Sequence, residues 1–356
     1  MAEQAPADAV SHSRGRRVSW KLVMGALAAL TLAAVVSAVV IYEKYIQYDR
    51  IAALHLPSDT TAVARVDVEK LALYDPVRRH LLPLLDDSWG GASAGPSSLP
   101  ARRERIRVRT GVDLAIDLRE IVVARGPTWN DWVVVVSGKF PHHGVVTGMA
   151  KVLAEEGAGW QLSPDKQSLL APTGVALGQA ADGSVILASS AARLGQALPS
   201  QDTYRRLGLD NQAAAAAVVS GPLLQSYASS PARFVAPSLA RLQALERVSG
   251  VVQLGHPLQA TVHVALRPDR AAAAMKQPLS ALLGGLVRLS ALVPGRDFGG
   301  ERAALGRAAI QVAGPHQLDV RFSWKPEEVD RGAISLARAV RHWTGSSPAA
   351  RPSGRP

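Results

Sequence analysis

Apolar positions change their spacing twice along this chain. Residues 1–19 are small and polar. From Leu22 to Tyr42, 21 consecutive residues carry no charge. As a helix rising ~1.5 Å per residue, that run is about 31 Å long, the thickness of bilayer hydrocarbon. Past residue 56, short stretches of strict alternation give way repeatedly to three-and-four spacing, the pattern of strands followed by helices. Ser346–Pro356 has no apolar periodicity and reads as a disordered tail.

The alternating stretches predict strands at Thr61–Asp67, Leu118–Arg125, Asp131–Gly138, Gly174–Gln179 and Ser184–Ala188. Helical spacing follows at Val68–Leu85, Pro141–Glu156 and Ser190–Leu198. The second half repeats the order. Strands are expected at Ala214–Ser220, Val248–Leu254, Gln259–Leu266, Arg307–Val312 and Gln317–Trp324. Helices are expected around Leu223–Ser226, Ala232–Arg247, Pro268–Leu292 and Pro326–Trp343. Three hairpin-to-helix junctions share a proline that suits a first helical turn: Lys139-Phe140-Pro141, Arg267-Pro268-Asp269 and Lys325-Pro326-Glu327. Each half thus reads β-α, β-β-α, β-β-α. This predicts an internal duplication, repeats 56–200 and 211–343, in an α+β fold. Its sheets are expected to be largely antiparallel, with helices packed on one face.

Charge gives the apolar run a direction. Arg14, Arg16, Arg17 and Lys21 precede it, while the flank from Glu43 to Arg50 is balanced. A Lys/Arg excess holds its end of a first helix in the cytoplasm. Trp20 on one side and Tyr42, Tyr45 and Tyr48 on the other suit the two headgroup layers. Residues 20–45 are therefore expected to be a signal-anchor helix in the lipid bilayer of a bacterial inner membrane, single-pass and N-in. The C-terminal bulk would be extracytoplasmic (periplasmic). The rival reading is a leader cleaved after Ala38, in Val36-Ser37-Ala38. Gly25, Ala29 and Ala33 recur at the spacing that lets two membrane helices approach, a candidate homodimer seam.

The net charge of +11 and pI of about 10.3 raise the question of an anionic partner. The 32 Arg against 8 Lys and only two Asn suit a GC-rich coding bias instead. At 5% aromatic content the arginines are not interleaved with rings, and nucleic acid is not expected as a partner. Arg102, Arg103 and Arg105 form the densest basic run, read as a solvated helix face or a contact for an acidic partner. Trp129 and Trp132 bracket a hairpin turn and are candidates for contact with an envelope protein or polymer. With no cysteine, disulfides, thiolate metal sites and cysteine nucleophiles are excluded.

The opening Leu56-Pro57-Ser58-Asp59-Thr60, and Thr110-Gly111-Val112-Asp113 leading into Leu118–Val122, resemble a loose group of bacterial secreted or membrane-anchored proteins. These are proteins of domain-of-unknown-function type. The resemblance implies an envelope location and carries over no catalytic residue.

The search for chemistry yields no catalytic residue, metal ligand or cofactor site. His142 and His143 are adjacent, and adjacent side chains on a helix do not converge on a metal. Ser137-Gly138-Lys139 lacks the flanking residues of a phosphate-binding loop. The leading expectation is a non-catalytic, anchored binding or structural protein. The alternatives are an envelope hydrolase whose site only the fold assembles, and a membrane-proximal binder of an anionic polymer.

Overall fold

The computed structural model describes residues 51–85, 99–128, 130–229, 243–290 and 299–345. The Leu22–Tyr42 run and the 346–356 tail lie outside them. No helix among the described residues is long and apolar enough to cross a membrane.

The first half runs β1 (Ala62–Asp67), α1 (Val68–Leu73), α2 (Asp75–His80), α3 (Leu99–Thr110), β2 (Leu118–Arg125), β3 (Trp132–Gly138) and α4 (Val145–Glu155). It continues through β4 (Gln161–Leu162), β5 (Ser168–Leu170), β6 (Ala176–Gln179), β7 (Val185–Ala188), α5 (Ala191–Ala197) and α6 (Thr203–Leu207). The second half runs β8 (Ala215–Ser220), α7 (Gly221–Ser229), β9 (Leu245–Gln253), β10 (Leu258–Leu266) and α8 (Ala272–Ser290). It closes with α9 (Gly299–Gly306), β11 (Ala309–Gly314), β12 (Gln317–Trp324) and α10 (Pro326–Gly345).

The twelve strands among the described residues join one antiparallel sheet, ordered β11-β12-β10-β9-β8-β1-β2-β3-β7-β6-β5-β4. Its centre is the antiparallel pair β1–β8, with Ala64 opposite Ala217. From that pair the order reads β1-β2-β3-β7-β6 one way and β8-β9-β10-β12-β11 the other. Each arm lays down a strand, then a hairpin, then a second hairpin in reversed order. The short β5 and β4 extend only the first arm.

The expected α+β architecture with antiparallel pairing is what the chain adopts, but the helices are not confined to one face. On one face, Val63, Val122, Val133, Val135 and Ile186 are buried with Leu56, Leu194 and Ala197, under the turn at Ala52–His55 and α5. On the opposite face, Val185 and Leu187 pack against Val146, Met149 and Leu153 of α4. The physical reason lies in β3 and β7, which carry apolar side chains at consecutive positions (Val133–Val136, Val185–Ala188). A strand apolar on both sides needs cover on both.

Other boundaries also shifted. The Val68–Leu85 helix breaks at Tyr74, which is extended (φ −74°, ψ 124°), because Pro76 starts a fresh first turn. Only the third proline junction opens its helix at the proline. There Glu328 Oε2 accepts the Lys325 amide at 2.9 Å. Helix α4 instead starts after Gly144, whose left-handed φ of 94° reverses the chain. Helix α8 starts four residues past Pro268. The helix expected over Ala232–Arg247 is overturned at its end: Leu245–Arg247 open β9, where Arg247 pairs with Ser220 and Ala265.

Candidate functional site

The arginines singled out in the sequence are committed to internal ion pairs. Arg103 grips Asp113 through Nε and Nη2, both at 2.9 Å, and holds that carboxyl below its usual range. Arg105 Nη2 donates to Glu156 at 3.0 Å, and Arg102 Nε lies 3.5 Å from the same carboxylate. Arg109 pairs with Glu155. The contacts with Glu155 and Glu156 fasten α3 along α4. Trp132 is half-buried at the start of β3, its backbone bonded to Ser189. Trp129 and the Gly25, Ala29, Ala33 seam lie outside the described residues. His142 and His143 are exposed in the loop before α4, beside Asp165, Lys166 and Gln179. Among the described residues no three His, Asp or Glu side chains group as metal ligands.

The structure draws together a different set. In the second arm, Val264, Leu266 and Leu318 are buried on one sheet face, packed with Leu224 of α7 and Ala272 of α8. The opposite face carries the alternate positions, and it is polar and open. Gln259, His263, Gln317 and Arg321 are exposed there, with Ser249, Thr261 and Asp319 half-buried. The equivalent face of the first arm lies under α5. Register places Ser249, His263 and Asp319 in one row across β9, β10 and β12. His263 Nδ1 is 2.8 Å from Asp319 Oδ1, and the histidine is 52% exposed. A shallow cavity of about 230 Å³ follows this row and is also lined by Arg247.

At the inner end of the same face Arg247 turns toward a second cleft, of about 360 Å³. Ser220, Gly221, Pro222 and Gln225 at the start of α7 form one wall. Arg206, Arg247, Glu246 and Arg267 supply its charges. Gly221 is required here: a Cβ would stand 2.9 Å from the Glu246 carbonyl oxygen. That close approach seats the first turn of α7 against β9. Arg206 donates to the Ser58 carbonyl and Arg247 Nη2 to the Leu207 carbonyl. Arg247 Nε is shut off from solvent with no hydrogen-bond partner among the described residues. Three guanidinium groups thus meet one carboxylate.

Neither set was singled out in the sequence, because each is spread over 60 or more residues and only register unites it. A signal was nonetheless there: polar side chains recur at every second position of β10 (Gln259, Thr261, His263) and β12 (Gln317, Asp319, Arg321, Ser323).

No family model and no curated protein matches this chain. Among solved structures it is similar to TP0453. Crystal form III of that protein superimposes with a TM-score of 0.43 at 10% identity, covering 82% of this chain and 99% of the other. Crystal form I gives 0.42 at 11% identity, covering 82% and 98%.

Proposed function

We propose that the chain is a membrane-tethered, non-catalytic binding protein of the bacterial envelope, and that the open face of its second arm is the recognition surface. One observation carries this reading. The same sheet face is closed by α5 in one arm and left open and polar in the other, ending in an arginine-lined cleft. The matching strand order of the arms supports an internal duplication in which one copy keeps the core and the other presents surface. The uncharged run Leu22–Tyr42, with Arg14, Arg16, Arg17 and Lys21 before it, would hold that surface on the outer side of the inner membrane. Tethering raises the local concentration of such a surface for any membrane-proximal ligand.

The test is in-cell photocrosslinking with mass spectrometry. A crosslinker replacing exposed Arg321 should yield discrete adducts, and one replacing exposed Leu336 on α10 should not. Equal or absent adducts at the two positions would remove the proposal.

The row Ser249–His263–Asp319 motivates a second reading, a serine hydrolase assembled by the fold. An oxyanion needs free backbone N–H groups beside the nucleophile, and Ser249 sits mid-strand with ladders on both sides. That placement favours binding. Labelling of Ser249 by a fluorophosphonate probe, lost in His263→Ala, would reverse the preference.

A further inference from the structure

We infer that the cleft between α7 and β9 is a binding site for a phosphate group, ligated by Arg206, Arg247 and Arg267. The inference rests on the binding reading above and names the class of ligand.

Charge is the first argument. Several guanidinium groups elsewhere in the fold, buried and exposed alike, are matched by carboxylates. Arg65 meets Glu120 at 2.5 Å, Arg193 meets Asp59 at 2.6 Å and Asp131 at 2.8 Å, and Arg307 meets Glu328 at 2.5 Å. The cleft departs from this pattern. Glu246 alone faces three arginines, which leaves two positive charges, the charge a phosphate monoester dianion would balance.

Unused donors are the second argument. The Arg267 guanidinium is exposed at the cleft and makes no side-chain hydrogen bond or ion pair among the described residues. Guanidinium groups present planar pairs of donors that match phosphate oxygens two at a time. A carboxylate would use fewer of these donors. The first turn of α7 opens into the same space and adds a partial positive charge. Its backbone is brought close by Gly221. The arginines come from α6, β9 and the end of β10, so the site exists only in the folded sheet.

The experiment uses the full chain in phosphatidylcholine nanodiscs, titrated with inorganic phosphate and followed by calorimetry. Saturable binding is expected. Arg267→Gln should weaken it about tenfold, the scale of a charge-assisted hydrogen bond. Arg267 is exposed, so this variant leaves the core intact. Arg247→Gln should weaken binding at least as much. Glu246→Gln should tighten it, a direction that a purely structural role for these residues does not produce. Adding phosphatidic acid to the nanodiscs separates the sources. Loss of the phosphate response identifies a lipid headgroup, and an unchanged response identifies a soluble phosphorylated compound. Absence of saturable phosphate binding, or equal affinity in wild type and both arginine variants, would overturn the inference. Adducts at position 321 without phosphate binding would sink this inference alone. Phosphate binding without adducts would sink the wider surface and keep the cleft.

Discussion

Arg65 Nε lies 2.5 Å from Glu120 Oε1, and both side chains are sealed from water beneath the sheet centre. The pair links β1 to β2. Glu120 Oε2 also accepts the Ala52 amide at 3.0 Å, and Arg65 Nη1 donates to the Ala213 carbonyl at 3.0 Å. One ion pair therefore pins the entry turn at Ala52–His55, both central strands and the segment leading into β8. Removing one partner leaves an uncompensated buried charge. Arg65→Ala is expected to cost about 3–5 kcal/mol, measured by denaturant unfolding. Replacing both residues with apolar side chains of similar volume, as in Arg65→Met with Glu120→Leu, should cost less than the single change. A double variant as unstable as Arg65→Ala would show that the hydrogen bonds to Ala52 and Ala213, or the buried Asp67 carboxylate 3.7 Å from Arg65 Nη2, dominate over the Arg65–Glu120 pair.

A second buried contact makes stability depend on pH. His55 is buried with Nδ1 3.0 Å from the Ala197 carbonyl and Nε2 2.8 Å from Asp182 Oδ2. Both nitrogens face acceptors, so both contacts are hydrogen bonds only when the ring carries two protons. For Asp182, burial opposes ionisation. The hydrogen bonds from His55 and the Ser184 amide outweigh it and draw the carboxyl below its ordinary 3.8. A carboxyl depressed in the folded state stabilises above its unfolded pKa. That contribution fades as pH falls through the folded value. Unfolding midpoints should therefore drop on acidification below about pH 4, and Asp182→Asn should flatten that drop while lowering stability at neutral pH. A variant that tracks wild type across the acid range would refute the link.

The α3 helix shows which parts of the fold the sequence could disclose. Its arginine run was legible as a helix face. What the arginines face was not, since Glu155 and Glu156 reach them only once α4 packs alongside. Hairpins at Leu118–Gly138, Leu245–Leu266 and Ala309–Trp324 were legible because alternation is local. The two-sided cover of β3 and β7 was implicit in their apolar runs, yet which helix supplies it depends on topology. The cleft was the least legible feature. Arg206, Arg247 and Arg267 have no shared spacing, and each belongs to a different element.

Close approach holds α3 more firmly than its charges do. A Cβ on Gly148 would stand 2.3 Å from the Arg109 carbonyl oxygen, a backbone atom that cannot step aside alone. Gly148→Ala should force α3 away from α4, at a cost of about 1–3 kcal/mol. Faster hydrogen exchange would be confined to Leu99–Thr110 and its partner face. Arg105→Ala, which removes a partly exposed ion pair with Glu156, should cost no more than about 1 kcal/mol. If the arginine change proves the costlier one, the packing argument is wrong.

The membrane address proposed for Leu22–Tyr42 can be tested independently of any ligand. If Arg14, Arg16, Arg17 and Lys21 hold the N-terminus inside as proposed, alkaline phosphatase fused after Pro356 should be active in the periplasm. A green fluorescent protein fused there and exported through the general secretory route should stay dark. Protein from washed membranes should resist alkaline extraction and retain residues preceding Val39. A mature N-terminus at Val39 would make the run a leader, release the sheet into the periplasm and remove the tether. Exchanging the four basic residues for glutamine should produce a mixed orientation, because the remaining flank is balanced. Retention of a single orientation in that variant would mean that charges other than these four set the topology.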